Sequence, residues 1–137
     1  MARVMALDYG LRRTGIAVTD PLQIIAQGLT AVDTKDLMPF LKKYFSTEAV
    51  ELLLIGLPIN LDGSDTHGTS LVQKFIPLLK KEFPELIIKT VDERFTSKLA
   101  KQAMLDMGMK KKDRQVKKNV DEISATIMLQ DFLRTSI

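Results

Sequence analysis

The chain has 137 residues, 45% of them hydrophobic, and sets 20 Lys and Arg against 17 Asp and Glu for a net charge of +3. With no cysteine and one histidine, it excludes disulfide scaffolds, thiolate nucleophiles, zinc ribbons, iron–sulfur clusters and multi-His zinc sites. The length suits one domain, taken as residues 1–137, and neither a signal peptide nor an apolar run near the ~20 residues of a bilayer span is visible, so a cytoplasmic location is expected.

In chain order, residues 3–8 (RVMALD) form an apolar run ending in a carboxylate, which suits a buried strand that delivers Asp8 to its end. Residues 14–19 (TGIAVT) read as a second strand. The short, Gly-containing connection through Gly10 pairs the two as an antiparallel hairpin. Asp20-Pro21 marks a turn, and residues 23–32, rich in Ile, Leu, Thr and Val, suggest a third strand. Asp33-Thr34 offers N-cap chemistry for a helix over 35–46, where Leu37, Phe40, Leu41, Tyr44 and Phe45 recur at helical spacing.

Residues 50–57 are a continuous Leu/Ile run typical of a strand covered on both faces. A polar loop through Asp62-Gly63 follows, then an amphipathic helix over 68–82 with Pro77 inside it as an expected kink. Residues 86–91 return as a strand that leads into Asp92-Glu93-Arg94. Helices are expected over 96–107, stopped by Gly108, and over about 119–134. Three strands followed by alternating helices and strands imply an α/β sheet, antiparallel in its first half and parallel in its second.

Three acids fall where such a sheet places chemistry. Asp8 ends the first strand, Glu93 ends the last, and Asp121 lies in the first turn of the final helix. Carboxylates gathered without His or Cys favour a hard ion such as Mg²⁺ or Mn²⁺, and two such ions can activate water and stabilise the leaving oxygen in phosphodiester cleavage. Spacing alone equally allows a turn former, a helix cap or a partner for the helix dipole, and Asp92 and Glu122 are alternative ligands. Asp8-Tyr9-Gly10 with Thr14-Gly15 suits either a phosphate-cradling turn or a tight hairpin. His67, in a polar loop, could position a water or be a solvated side chain.

The charge is unevenly spread. Between Lys98 and Lys118 lie Lys98, Lys101, Lys110, Lys111, Lys112, Arg114, Lys117 and Lys118 against Asp106 and Asp113, a local +6 that leaves −3 for the rest of the chain. The strip reads as a phosphate-backbone footprint beside the acids, or as a solvated loop.

The segments VMALDYGLRRTGIAVTDPLQIIAQGL, LLLIGLPINLDGS, VDERFTS and KKKDRQVKKNVDEISATIMLQDFL, in this order, resemble the YqgF family, also called RuvX, over nearly the whole chain. The resemblance implies a ribonuclease H-like α/β fold, in which a five-stranded mixed sheet with its first three strands antiparallel carries helices on both faces. It also implies a metal-dependent nuclease whose acids are Asp8 in LDYG, Glu93 in VDERFTS and Asp121 in NVDEISA. In the mechanism expected for it, Asp8 would bridge two Mg²⁺ or Mn²⁺ ions, with Glu93 and Asp121 each completing one coordination sphere. Family members are associated with maturation of precursor 16S ribosomal RNA and with Holliday junction resolution by analogy with RuvC.

The leading expectation is a nuclease acting on structured RNA, with a branched-DNA resolvase as the alternative. Lys110, Lys111, Lys112, Arg114, Lys117 and Lys118 would grip the backbone without sequence preference, and Arg12, Arg13 and Arg94 would contact phosphates nearer the acids. Junction cutting needs two sites, so monomer and homodimer both stay open. A non-catalytic RNA-binding module in ribosome assembly or transcription keeps the basic strip and denies the cleavage. An actin-like nucleotide site ranks last, because the chain looks too short for a second lobe. No membrane partner is expected, and the loop after Gly63 is given no role.

Overall fold

The computed structural model describes residues 2–58, 62–92 and 117–135. Five strands form one sheet in the order β3-β2-β1-β4-β5. Strands β1 (Arg3–Tyr9), β2 (Arg13–Thr19) and β3 (Ala26–Asp33) are an antiparallel meander. Strands β4 (Val50–Leu57) and β5 (Ile87–Asp92) add in parallel on the other side of β1. The antiparallel first half and parallel second half match the sequence expectation, and β1 lies at the centre because it pairs with β2 on one edge and β4 on the other.

Alternation along β1 divides the core. Met5 and Leu7 face helices α1 (Leu37–Thr47) and α2 (His67–Glu82), packing with Ile16, Val18, Leu53, Ile55, Leu37, Leu41, Val72, Phe75 and Leu79. Val4 and Ala6 face helix α3 (Lys117–Thr135), packing with Ala17, Leu54, Ala125, Met128 and Leu129. Small residues fill much of the second face, so α3 can sit close to the sheet. Among the described residues no helix is long and apolar enough to cross a membrane.

Several boundaries differ from those expected. Strand β3 starts at Ala26, because Asp20 organises the residues before it into a turn. Its carboxylate accepts backbone N–H bonds from Leu22 (3.2 Å), Ile24 (2.8 Å) and Ile25 (2.8 Å), and Gln23 takes a positive φ of 58°. Neither Asp33 nor Asp36 caps a helix through its side chain; a 3₁₀ turn over Thr34–Asp36 precedes α1, and the Thr34 hydroxyl is engaged elsewhere.

His67 is the exposed first residue of α2 rather than part of a loop, because Thr66 before it and Thr69 after it form a reciprocal capping box. The Thr66 side chain accepts from the Thr69 N–H at 3.2 Å, and Thr69 accepts from the Thr66 N–H at 2.8 Å. Pro77 lies inside α2 as expected and withholds one intrahelical bond there. The expected helix over 96–107, with Gly108, lies outside the described residues.

Leu41 is fully buried on α1, whereas Leu78 on α2 is mostly exposed. Leu41→Ala is expected to lower the unfolding free energy by about 2–5 kcal/mol, and Leu78→Ala by about 0.5 kcal/mol or less, measured by urea denaturation. Asp20 has its pKa lowered, chiefly by the Ile25 N–H bond. The turn it organises is therefore stabilised above the ordinary carboxylate value and loosens as pH falls through the lower folded one. Acid titration followed by NMR should show the amides of Leu22, Ile24 and Ile25 shifting together, and should not do so in Asp20→Asn.

Candidate active site at the end of the central strand

Asp8 is the penultimate residue of β1 and is half-buried. Two residues beyond Ala6, it shares the sheet face covered by α3. Its neighbour Tyr9 points the other way and stacks on Phe75 of α2 with ring centroids 4.4 Å apart. Burial there raises the Tyr9 pKa. The strand end is thus pinned on one face and presents its acid on the other.

The neighbours of Asp8 on both sides are glycines. Gly15 of β2 is its register partner, and Gly56 of β4 follows Ile55, the partner of Leu7. Both belong to the α3 face, in step with Ala17 and Leu54. The two positions directly beside the carboxylate in the sheet therefore contribute main chain and no side chain. This pair was not singled out from the sequence; only the register shows that residues so distant along the chain flank one acid.

The turn after Asp8 is fixed by a residue from β3's end. Thr34 Oγ1 donates to the Gly10 carbonyl (2.6 Å), so the Thr14 hydroxyl, 3.0 Å from Thr34 Oγ1, is the donor to it. The Thr34 N–H donates to the Arg12 carbonyl (2.8 Å). Gly10 has no room for a side chain, since a Cβ would lie 2.5 Å from the Arg13 carbonyl oxygen. Arg12 is exposed on this turn. Arg13 begins β2 on the α3 face, two residues before Gly15, and its Nε is buried without a hydrogen-bond partner. An unsatisfied buried donor costs about 1–3 kcal/mol, which marks a place where an anion would be welcome.

Of the other acids, Asp121 is the fifth residue of α3 and not in its first turn, because the helix begins at Lys117. Ser124 and Ala125, further along the helix, are buried. The Ser124 hydroxyl is buried and has no partner. Asp92 ends β5, one residue after Val91 of the α3 face and in step with Ile88 of the opposite face, so it is turned away from Asp8. Glu93, Arg94, Lys98, Lys101, Lys110, Lys111, Lys112 and Arg114 lie outside the described residues. Lys117 and Lys118 open α3, and Glu122 is placed only by its position on that helix. Among the described residues no three His, Cys, Asp or Glu cluster around a metal position.

A family profile described as "RuvX: Holliday junction resolvase" matches residues 2–135. A protein of Flavobacterium psychrophilum named "Putative pre-16S rRNA nuclease" is 53% identical over 137 residues, covering all of both chains. One of the same name from Bacteroides thetaiotaomicron is 52% identical over 135 residues, 98% of each chain. Among solved structures, T. thermophilus RuvC in complex with a Holliday junction substrate superposes with a TM-score of 0.57 at 12% identity, covering 99% of this chain and 97% of that one. The fowlpox virus Holliday junction resolvase gives 0.54 at 9% identity, covering 97% and 99%.

The tight Gly10 site predicts that Gly10→Ala will force backbone movement. An expected loss of about 1–3 kcal/mol in stability, with amide shifts concentrated at residues 8–15, is checked by urea denaturation and NMR.

Proposed function

The chain belongs to the RuvX family and has its ribonuclease H-like fold, and from that premise we propose that residues 1–137 act as a single-domain, metal-dependent nuclease on structured nucleic acid. The observation that carries the reading is Asp8, held on the α3 face of the central strand between two glycines. The substrate we favour is precursor 16S ribosomal RNA, in line with the name borne by relatives just over half identical along the full chain.

The donor set suits a hard divalent ion, since Asp8 offers carboxylate oxygen and no cysteine exists in the chain. Asp8, Glu93 and Asp121 are the residues that would hold Mg²⁺ or Mn²⁺. A bound pair of such ions supplies an activated water and stabilises the departing oxygen. Asp92 has the parity opposite to Asp8 and so faces away from it, which counts against Asp92 as the second ligand. Arg13 has a desolvated donor for phosphate on the same face, with exposed Arg12 beside it. Arg94, Lys110, Lys111, Lys112, Arg114, Lys117 and Lys118 extend the cationic track along the backbone of the substrate, in the cytoplasm and as a monomer or homodimer.

The resolvase reading keeps the same acids and exchanges the substrate for branched DNA, and the family description favours it. Cleavage with Mn²⁺ of precursor 16S RNA and of a four-way DNA junction, run side by side, separates the two. Asp8→Asn is expected to lower cutting of the true substrate on the order of a hundredfold or more. Equal cutting by both proteins would overturn the assignment of Asp8, and salt-sensitive RNA binding without cleavage under any metal would favour the non-catalytic module.

A further inference from the structure

The turn that carries Arg12 and Arg13 also carries Leu11, which the nuclease reading leaves without a role. Its side chain is 67% exposed, between the constrained Gly10 and two arginines. Isolated surface leucines are ordinary on flexible turns. Here the main chain on both sides is fastened to Thr34, through the Gly10 and Arg12 carbonyls, and the Gly10–Arg13 approach leaves no slack. The apolar group is thus held out rigidly, and ordering it on binding costs little backbone entropy.

Its position selects the ligand. Leu11 is three residues from Asp8, and three residues of chain reach at most about 11 Å, which is about three base steps at 3.4 Å along a strand. A leucine offers nothing to a phosphate. In a fully paired helix the neighbouring strand presents charged backbone and stacked bases whose faces are covered. Apolar surface becomes available where stacking is broken, at a fork, bulge or branch, and aliphatic wedges act on such steps. We infer that Leu11 is a wedge that packs against the face of a base at a helix discontinuity next to the cleaved phosphate, with Arg12 and Arg13 holding the phosphates on either side. The inference rests on the nuclease reading for its place beside the cut, and it makes structure selectivity a property of the turn rather than of the acids.

The test reads binding without cleavage, in the full-length Asp8→Asn protein. The probes are a forked RNA and the same fork in DNA, each with 2-aminopurine at the first unpaired step, beside fully paired duplexes of matching sequence. Binding to a fork is expected to raise the fluorescence as the base leaves its stack. Adding Leu11→Ala should reduce that rise and weaken fork affinity relative to duplex affinity about tenfold, the effect of losing one buried leucine contact. Leu11→Met should restore both.

A selective loss on either fork supports the wedge, and the fork affected identifies the sugar that is read. Equal effects on fork and duplex, or none on either, overturn it. No arm requires catalysis, so a failed nuclease reading would show itself separately, in the cleavage comparison of wild type with Asp8→Asn.

Discussion

The two-residue period of β1 is the constraint on which the other features depend. The strand is paired on both edges and packed on both faces, so each residue from Val4 to Leu7 is committed to one side of the sheet or the other. A slip of one residue would exchange the two cores and turn Asp8 towards α2. Burial therefore supports two outcomes together: it stabilises the domain and it aims the acid. Each fully buried Leu or Met in this set is worth about 1.5–3 kcal/mol, which is large against the modest cost of half-burying one carboxylate at the strand end.

The hairpin lock works on a shorter scale. Thr34 joins the end of β3 to the turn after Asp8, and its hydroxyl both donates to Gly10 and accepts from Thr14. A hydroxyl can do both only because it holds one proton and two lone pairs. Thr34 also lies two residues ahead of Asp36, the N-cap position of α1, so it plays no part in capping that helix. The helix begins behind a 3₁₀ turn instead, with the first α-helical residue, Leu37, already buried.

The architecture was legible in the sequence because its signals are periodic. The apolar run ending at Asp8, the Leu/Ile run of residues 50–57 and the three- and four-residue spacing of Leu37, Phe40, Leu41 and Tyr44 each appear in the structure as the element expected. Asp8 was legible as the acid closing a buried strand. The features of the candidate site that were not legible are those that need register. Gly15 and Gly56 lie 41 positions apart and meet Asp8 only through pairing. The Thr34–Gly10 bond spans 24 positions. Local rules also misplaced several features, the start of the third strand and the helix position of Asp121 among them. Asp33-Thr34 looks like a cap, but the N-cap position of α1 falls at Asp36, and His67 looks like loop until the Thr66–Thr69 capping box places it as the first helical residue.

The glycine pair beside Asp8 bears on the thermodynamics of occupancy. A site walled by long side chains must freeze their rotamers when a ligand arrives, at about 0.5–1.5 kcal/mol for each. Gly15 and Gly56 have no rotamers, and their main chain is already ordered by the sheet ladder. Whatever settles against Asp8 meets, at its two neighbouring sheet positions, main chain whose entropy was spent during folding.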